Sequence, residues 1–322
     1  MGGHSGTPDG TAWPNGPIRP IPAPSPRPWG GGRLGGDGTP IGELWLAGPD
    51  SIVSSPWGSV TLDDLAARAG PRFIGQRAAA RLGDRFPLLA KVIDAADWLS
   101  LQVHPDDRGA MARHGDRALG KAEAWLVLDA DAGSSLVIGP APDLGPEELR
   151  AAIAAGDLGR DRCSVVDAIP GDTWLLEPGT LHAIGAGCFV FEVEQPSDLT
   201  YRISDWGRPP SPGRRLHTTE ALETVRPASI AQRVGRGYRL DGQALVTPWF
   251  RLEVVDPAST VERRPGGESL EVITAIAGRT VVRGPDWEEP IAPFTTLVVP
   301  ASVMAYELVG EPGARVAIGS IW

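Results

Sequence analysis

GDTWLLEPGTLH, residues 171–182, contains a short apolar run that ends at a Pro-Gly turn and is followed by a histidine. The run at 173–176 is bounded by Gly-Asp before it and by Glu-Pro-Gly after it, which is typical of a β-strand. The turn then places His182 on the next strand. Hairpins of this kind can present side chains at the mouth of a β-barrel, where binding sites often lie.

Similar short apolar runs recur along most of the chain. They lie at residues 86–93, 125–128, 189–193, 250–255, 270–276, 280–282, 295–299 and 316–318. The 322 residues include 41 Gly and 32 Pro, which indicates many turns. The pattern predicts an all-β dominated fold, a β-sandwich or jelly roll, with a second, smaller β-sandwich unit at the C-terminus.

Few helices interrupt these strands. Thr61 and Asp64 predict a capping box, and the helix that follows should stop at Gly70. A second helix is expected to begin near Pro146 and to stop at Gly156. We predict three segments: a disordered extension at 1–16, a domain carrying the functional site at 17–222, and a β-rich domain without metal ligands at 223–322.

Charge and composition exclude several classes of partner. The formal net charge of −10 argues against binding to nucleic acid or to an anionic membrane, because both need clustered cations. Cys163 and Cys188 are too few for a disulfide scaffold and are expected to be buried reduced thiols. The N-terminus has no apolar core of signal-peptide length, and no apolar window is long enough to span a membrane. We expect a cytoplasmic protein.

Five residues in three segments carry the features of a metal site. Strand alternation places Gln102 and His104 on one face, and it does the same for Lys121 and Glu123. His104, Glu123 and His182 would form a His₂Glu set, with Gln102 as a fourth, oxygen donor. His₂Glu sites are known in catalytic zinc chemistry. Taken singly, each has an ordinary alternative, such as a hydrogen-bonded histidine or a solvated ion pair.

Further charged residues follow on the next predicted strands. Glu192 and Glu194 share a strand face and could simply point outward, and Arg202 could be a structural guanidinium. In an acidic protein, however, Lys121 and Arg202 near a metal would form a local cationic region suited to a phosphate.

Five motifs occur in the order LSLQVHPDD (99–107), GKAEAW (120–125), EPGTLHAIGAG (177–187), FEVEQPSDLTYR (191–202) and RRLH (214–217). Together they resemble the short bacterial form of the type I mannose-6-phosphate isomerase family. The resemblance covers residues 20–220 well, and beyond them only a β-rich tail. It implies a cupin-type jelly roll and the interconversion of mannose 6-phosphate and fructose 6-phosphate through an enediol.

The resemblance also implies roles for individual residues. One Zn²⁺ per chain would be held by Gln102, His104, Glu123 and His182. Catalysis would use Arg202, Lys121 and Glu192, and the sugar phosphate would contact Lys121, Arg202 and Glu194. Glu192 is the first candidate for the base, although zinc-bound water or a group near His104 stays open. Arg202 would either bind phosphate or stabilise the enediolate.

Two other functions fit parts of this pattern. A non-catalytic metal-binding cupin that binds a sugar phosphate would tolerate the loss of site residues, and here none is lost. Another metal cupin enzyme, such as an iron oxygenase, could use the same His₂-carboxylate set, but Lys121 and Arg202 favour a phosphorylated substrate. We expect a small-molecule partner and a monomer or a weak homo-oligomer.

Overall fold

The computed structural model describes residues 14–35, 37, 39–209 and 211–322. Most of the extension predicted at 1–16 therefore lies outside the described residues. The strands are β1 (Ala23–Ser25), β2 (Glu43–Ala47), β3 (Ile52–Ser55), β4 (Gly58–Thr61), β5 (Leu89–Asp94), β6 (Leu101–Val103), β7 (Glu123–Ala130), β8 (Ser135–Pro140), β9 (Cys163–Asp167), β10 (Thr173–Leu176), β11 (Ala183–Ile184), β12 (Cys188–Glu194), β13 (Tyr201–Ser204), β14 (Gln232–Arg236), β15 (Arg239–Leu240), β16 (Leu245–Val246), β17 (Arg251–Val255), β18 (Val261–Arg263), β19 (Glu271–Ala277), β20 (Thr280–Arg283), β21 (Glu288–Ile291), β22 (Thr296–Val299), β23 (Tyr306–Gly310) and β24 (Arg315–Ser320). The helices are α1 (Leu62–Ala69), α2 (Pro71–Ile74), α3 (Gln76–Leu82), α4 (Asp107–His114), α5 (Pro146–Ala155) and α6 (Thr218–Thr224).

The chain divides into two compact units. One comprises Pro24–Trp45 and Lys91–Leu245, and we call it the site unit. The other comprises the described residues up to Ala23 together with Leu46–Ala90 and Val246–Trp322. The domain limits predicted from the sequence, at 17–222 and 223–322, stay predictions.

The site unit is built from antiparallel sheets that share a core. Its largest sheet has the strand order β1-β2-β5-β12-β7-β10-β14-β15, and a smaller one has the order β11-β8-β9. Trp125 and Val190 from the large sheet belong to the same buried cluster as Leu136 and Ile184 from the small sheet. Burial of each such side chain contributes about 1.5–3 kcal/mol, so the two sheets are held together by apolar packing.

Two helices cover a second apolar cluster of the site unit. Leu149 and Ile153 of α5 and Ala221 of α6 pack with residues of β6 and β13, including Leu101 and Tyr201. This packing fixes the short pair β13-β6, which carries several of the predicted site residues.

The predicted helices and their ends are confirmed. Thr61 caps α1 and forms the capping box with Asp64, and α1 ends at the residue before Gly70. Helix α5 begins at Pro146 and ends at Gly156, which has the left-handed conformation. The short helices α2, α3, α4 and α6 were not predicted, because none of them carries a long apolar period.

The second unit contains a β-sandwich formed by the C-terminal strands. A five-stranded sheet, β16-β17-β24-β19-β22, and a four-stranded sheet, β18-β23-β20-β21, both contribute to one core. Ile273 and Ile318 come from the first sheet, and Val282 and Leu308 from the second. The predicted all-β dominated fold with a second, smaller β-sandwich unit is therefore confirmed.

Both cysteines are free and buried, as predicted. Burial raises the pKa of Cys163 to about 12 and that of Cys188 to about 11, so both stay protonated thiols at neutral pH. No helix in the described part of the chain is long and apolar enough to cross a membrane.

A glycine comparison tests the packing at the start of β10. Gly171 has φ +89°, and an added Cβ would lie 2.7 Å from the backbone at Gly237 and Tyr238. Gly133 has a similar φ of +85° but open space around it. We expect Gly133→Ala to lower the free energy of unfolding by about 1–2 kcal/mol through backbone strain alone. Gly171→Ala should cost about 1–3 kcal/mol more because of the clash. Urea denaturation of the two variants measures the difference, and equal losses would contradict the described packing.

Candidate active site

Four predicted metal ligands are brought together by strand pairing. Gln102 lies in β6 and His104 follows that strand, while Glu123 is the first residue of β7. His182 directly precedes β11, and its backbone forms two hydrogen bonds of 3.0 Å with that of Gln102. The pairing of segments 80 residues apart thus makes one site from separate motifs.

Backbone carbonyls fix the tautomers of both histidines. His104 Nδ1 lies 2.8 Å from the carbonyl oxygen of Leu199, and His182 Nδ1 lies 2.8 Å from that of Thr180. A carbonyl only accepts, so each Nδ1 must carry the proton and each Nε2 presents a lone pair. Burial and then the Lys121 charge lower the pKa of His104 to about 3, and burial lowers the pKa of His182. Both rings are therefore neutral.

These lone pairs converge with the carboxylate of Glu123. The two Nε2 atoms are 3.1 Å apart, and the Glu123 oxygens lie 3.3 Å from His104 Nε2 and 3.2 Å from His182 Nε2. Glu123 Oε1 is buried and has no hydrogen-bond partner. Lys121 Nζ lies 3.2 Å from His104 Nε2 and can donate to it. Two imidazole lone pairs that converge with one carboxylate also form a donor set that suits a metal ion. His104, Glu123 and His182 can thus bind a metal.

Gln102 borders the same group of atoms. Its Nε2 is 3.2 Å from His182 Nε2, and its Oε1 accepts a hydrogen bond from the hydroxyl of Ser100 at 3.1 Å. A rotation of the amide by 180° would present Oε1 toward the histidine and would leave Nε2 to donate to Ser100. Both orientations satisfy the hydrogen bond with Ser100, so the amide can offer its oxygen to a cation.

Two lysines and two further carboxylates lie beside this group, and with Glu123 we call them the lysine–carboxylate cluster. Lys121 Nζ lies 2.6 Å from Glu123 and 2.7 Å from Glu194. Lys91 Nζ lies 2.8 Å from Glu192 and 3.2 Å from Glu194. All five side chains are buried. Buried charges persist only when they are paired, so each member depends on the others.

The charges of this cluster are not balanced by its two lysines. Burial acts to lower the pKa of Lys91, but Glu192 and Glu194 outweigh it and raise that pKa well above its usual value. Burial, and after it the charge of Glu123, raises the pKa of Glu192, while burial and Glu192 raise that of Glu194 well above its usual range. Three carboxylates facing two ammonium groups favour either a proton or an added cation in the site.

A cavity of about 340 Å³ adjoins the cluster. Gln102, Lys121, Glu192 and Arg202 line it, whereas Glu194 is fully buried and does not. The structure therefore brings the predicted residues to one place, with Glu194 behind Lys121 rather than at the cavity surface.

Arg202 is the least compensated cation of this cavity. Its Nη1 donates to the backbone carbonyl of Arg215, and its buried Nε has no hydrogen-bond partner. Within the described part of the chain no carboxylate forms an ion pair with its guanidinium. Burial and the nearby Arg214 lower its pKa, but a guanidinium remains charged at neutral pH. Such a group is suited to binding an anion.

Sequence reasoning missed three charged residues of the site. Lys91 lies in β5, and Glu43 of β2 accepts hydrogen bonds from Arg27 Nε and Nη2 at 3.1 Å and 2.7 Å. All three line the cavity. The signal for Lys91 was a lysine inside the apolar run 86–93, because a charge that enters a core must find a partner. Nothing in the sequence marks Arg27 and Glu43 as a pair.

Comparison with known proteins relates this geometry to one family. Residues 36–123 match the family model described as phosphomannose isomerase type I, catalytic domain. The chain is 37% identical over 213 residues to a mannose-6-phosphate isomerase of Streptococcus mutans, covering 61% of this chain and 64% of that protein. It is 35% identical over 219 residues to one of Bacillus subtilis, covering 64% of this chain and 67% of that protein. These alignments span about two thirds of the relatives' length.

The fold gives a more extensive match. The crystal structure of mannose 6-phosphate isomerase from Bacillus subtilis superposes with a TM-score of 0.80 at 25% sequence identity. That likeness covers 94% of this chain and 99% of the other. The similarity therefore extends beyond the region aligned by sequence.

A metal-content measurement can distinguish a histidine of the proposed metal site from one that only lines the cavity. His182 belongs to the buried lone-pair group, whereas His114 lines the cavity and its ring hydrogen bonds to the hydroxyl of Tyr201 at 3.0 Å. We expect His182→Ala to lose the divalent metal after dialysis and His114→Ala to retain it. Elemental analysis of both folded variants measures the stoichiometry. Full retention of metal in His182→Ala would show that the ion is held elsewhere.

Proposed function

Because the chain belongs to the type I phosphomannose isomerase family, we propose that it interconverts D-mannose 6-phosphate and D-fructose 6-phosphate. The observation that carries the proposal is one cavity lined by Gln102, Glu192 and the uncompensated Arg202, directly beside the buried group of His104, Glu123 and His182. An aldose–ketose isomerase of a sugar phosphate needs a carbonyl-polarising group, a base near C1 and C2, and a cation for the phosphate.

Zinc is the metal that we propose, one ion per chain, held by Gln102, His104, Glu123 and His182. Two neutral imidazoles, one carboxylate and an amide oxygen suit Zn²⁺, and such a set leaves room for substrate oxygens. When bound there, the ion would supply Lewis-acid polarisation of the substrate carbonyl.

Glu192 is the base that we propose. It lines the cavity, and its Oε1 accepts a hydrogen bond of 2.8 Å from the indole N–H of Trp125. Its raised pKa makes the carboxylate a stronger proton acceptor than an exposed glutamate. Glu192 would take the proton from C2 of mannose 6-phosphate to give the enediol and return it to C1 to give fructose 6-phosphate.

The two lysines would hold this carboxylate in place. Lys91 pairs with Glu192 Oε2, so Trp125 and Lys91 together fix both of its oxygens. Lys121 lines the cavity and could also donate a proton or a hydrogen bond to a substrate oxygen. Direct contact of Glu194 with the substrate stays a prediction; its position between Lys91 and Lys121 suits a partner of these ammonium groups.

Arg202 would bind the negatively charged phosphate of the substrate. Lys121 is already paired with carboxylates, so it is a weaker anchor for a phosphate than the unpaired guanidinium. Arg214 and Arg27 lie near enough to Arg202 to influence its pKa, and both line the cavity. A surplus of positive charge at this end of the cavity favours a phosphate over an uncharged sugar group.

The other functions weighed from the sequence stay distinguishable by experiment. A non-catalytic sugar-phosphate-binding cupin would need no base on the cavity wall, and an iron oxygenase would need no unpaired arginine. Oligomeric state, as monomer or weak homo-oligomer, and the cytoplasmic location stay predictions.

A coupled assay tests the proposed reaction directly. Purified protein should form fructose 6-phosphate from mannose 6-phosphate. A chelator should abolish turnover and added zinc should restore it, because the metal ligands of the described site are all protein side chains that remain after chelation. The assay follows fructose 6-phosphate spectrophotometrically. A folded, zinc-loaded sample without turnover would overturn the isomerase and favour the binding protein.

Substitution of the proposed base tests its role. Glu192→Gln should lower kcat about 10²–10⁴-fold, because an amide cannot accept the C2 proton. Metal content and KM should change little. Glu177→Gln, which alters an exposed carboxylate in the turn after β10, is the control. Steady-state kinetics and exchange of the C2 proton with deuterated water are the measurements. Wild-type exchange rates in Glu192→Gln would assign the base to another group.

A further inference from the structure

We propose that His217 is a specificity-determining residue that donates a hydrogen bond from Nε2 to the phosphate of the substrate. The inference rests on the proposed function for the identity of the substrate. It concerns a residue in the last of the five sequence motifs, to which no role was assigned. The observations behind it are the hydrogen bond on the other ring nitrogen and the charges around the ring.

The tautomer of His217 is opposite to that of the two metal-site histidines. The backbone N–H of Arg202 donates to His217 Nδ1 at 3.0 Å. A backbone N–H only donates, so Nδ1 carries the lone pair and Nε2 of the neutral ring carries the proton. The backbone N–H of His217 in turn donates to the carbonyl of Arg202 at 2.8 Å, which fixes the His217 backbone beside Arg202. His104 and His182 present lone pairs, whereas His217 presents a donor.

This donor is open to the cavity. His217 lines it and is only partly buried. Among the residues that the structure describes, none forms a hydrogen bond with His217 Nε2. The Tyr201 ring, with its centroid 6.1 Å away, flanks the imidazole. A fixed N–H donor without a protein partner on a cavity wall is available to a ligand oxygen.

The surrounding charges select an anionic oxygen. The backbone N–H of Arg202 donates to the His217 ring, the backbone carbonyl of Arg202 accepts from the His217 backbone N–H, and the Arg202 guanidinium donates to the carbonyl of Arg215. Burial, with the charges of Arg215 and Arg202, lowers the pKa of His217, so the ring stays neutral beside these cations. The acidic neighbours are engaged: Glu220 pairs with Arg215, and Asp205 with Arg214. The donor therefore faces a cation-rich end of the cavity, where a phosphate is favoured.

A pair of substitutions separates the donor from the anchoring bond. In His217→Asn the side-chain oxygen can still accept from the backbone of Arg202, but the side chain is too short to place a donor at the Nε2 position. In His217→Gln the amide N–H can reach that position. We expect Asn to weaken binding of inorganic phosphate and to raise KM for mannose 6-phosphate about 10–100-fold, the value of one hydrogen bond to a charged group. Gln should restore most of the loss.

The experiment uses the zinc-loaded full chain and three readouts. Calorimetry measures inorganic phosphate binding, the coupled assay gives KM and kcat with mannose 6-phosphate, and long-range ¹⁵N–¹H NMR reads the tautomer of each histidine. The proposal predicts an Nε2–H tautomer for His217, in contrast to the Nδ1–H tautomers of His104 and His182, and a phosphate-induced shift at the Nε2 of His217. Inhibition by unphosphorylated mannose should have the same concentration dependence in wild type and in His217→Asn, because the sugar lacks the phosphate that His217 would contact.

The outcomes distinguish failure of this inference from failure of the proposed reaction. Wild-type protein that binds phosphate through His217 but does not turn over mannose 6-phosphate would overturn the isomerase and leave the donor role intact. Active wild type with an Nδ1–H tautomer at His217, or with equal phosphate affinity in wild type and His217→Asn, would overturn the donor role. Equal loss in the Asn and Gln variants would also overturn it, because it would point to a structural effect of the ring.

Discussion

The hydrogen bonds from the Nδ1 atoms of His104 and His182 to the carbonyls of Leu199 and Thr180 decide which atoms of the site face one another. Because a carbonyl cannot donate, both Nε2 atoms are left as lone pairs beside Glu123. Two imidazole lone pairs beside a carboxylate form a donor set that can bind a metal ion. The metal site, the lysines around it and the cavity beyond it all depend on these two bonds.

The lysine–carboxylate cluster extends this constraint into the core of the site unit. Removing five ionisable side chains from water costs several kcal/mol for each ion, and only close pairing offsets that cost. Lys91 and Lys121 each contact two carboxylates, so replacing either lysine would leave buried carboxylates with less compensating charge, whereas replacing Glu192 would leave Lys91 paired with Glu194. The cluster therefore holds Glu192 at the cavity surface, the position that the proposed base requires.

Three of the described histidines differ in whether they present a lone pair or a proton near the cavity. His104 and His182 offer lone pairs at the metal end, and His217 offers a proton near Arg202. The backbone supplies the difference, since carbonyls contact the rings of His104 and His182 whereas an N–H contacts the ring of His217. A substrate with polar oxygens at one end and a phosphate at the other matches this polarity.

The sequence by itself determined the strand-rich fold, the two capped helices and the residues that meet at the metal. Short apolar runs between Gly and Pro report strands locally, and alternation within a strand relates Gln102 to His104 and Lys121 to Glu123. A capping box is equally local, so α1 was placed correctly. A single reaction could be inferred from the separate motifs only through their resemblance to a known family.

Only the tertiary structure decided how these residues act. Lys91 meets Glu192 because β5 and β12 are neighbours in the large sheet, and no local pattern encodes the partner of a strand. The strand pairing of β13 with β6 sets Arg202 opposite Gln102, and a hydrogen bond from Arg202 gives His217 its tautomer. Donor and acceptor roles of an imidazole depend on which backbone atom faces it. Residue type alone cannot fix that atom, since it is set by packing between segments far apart in the chain.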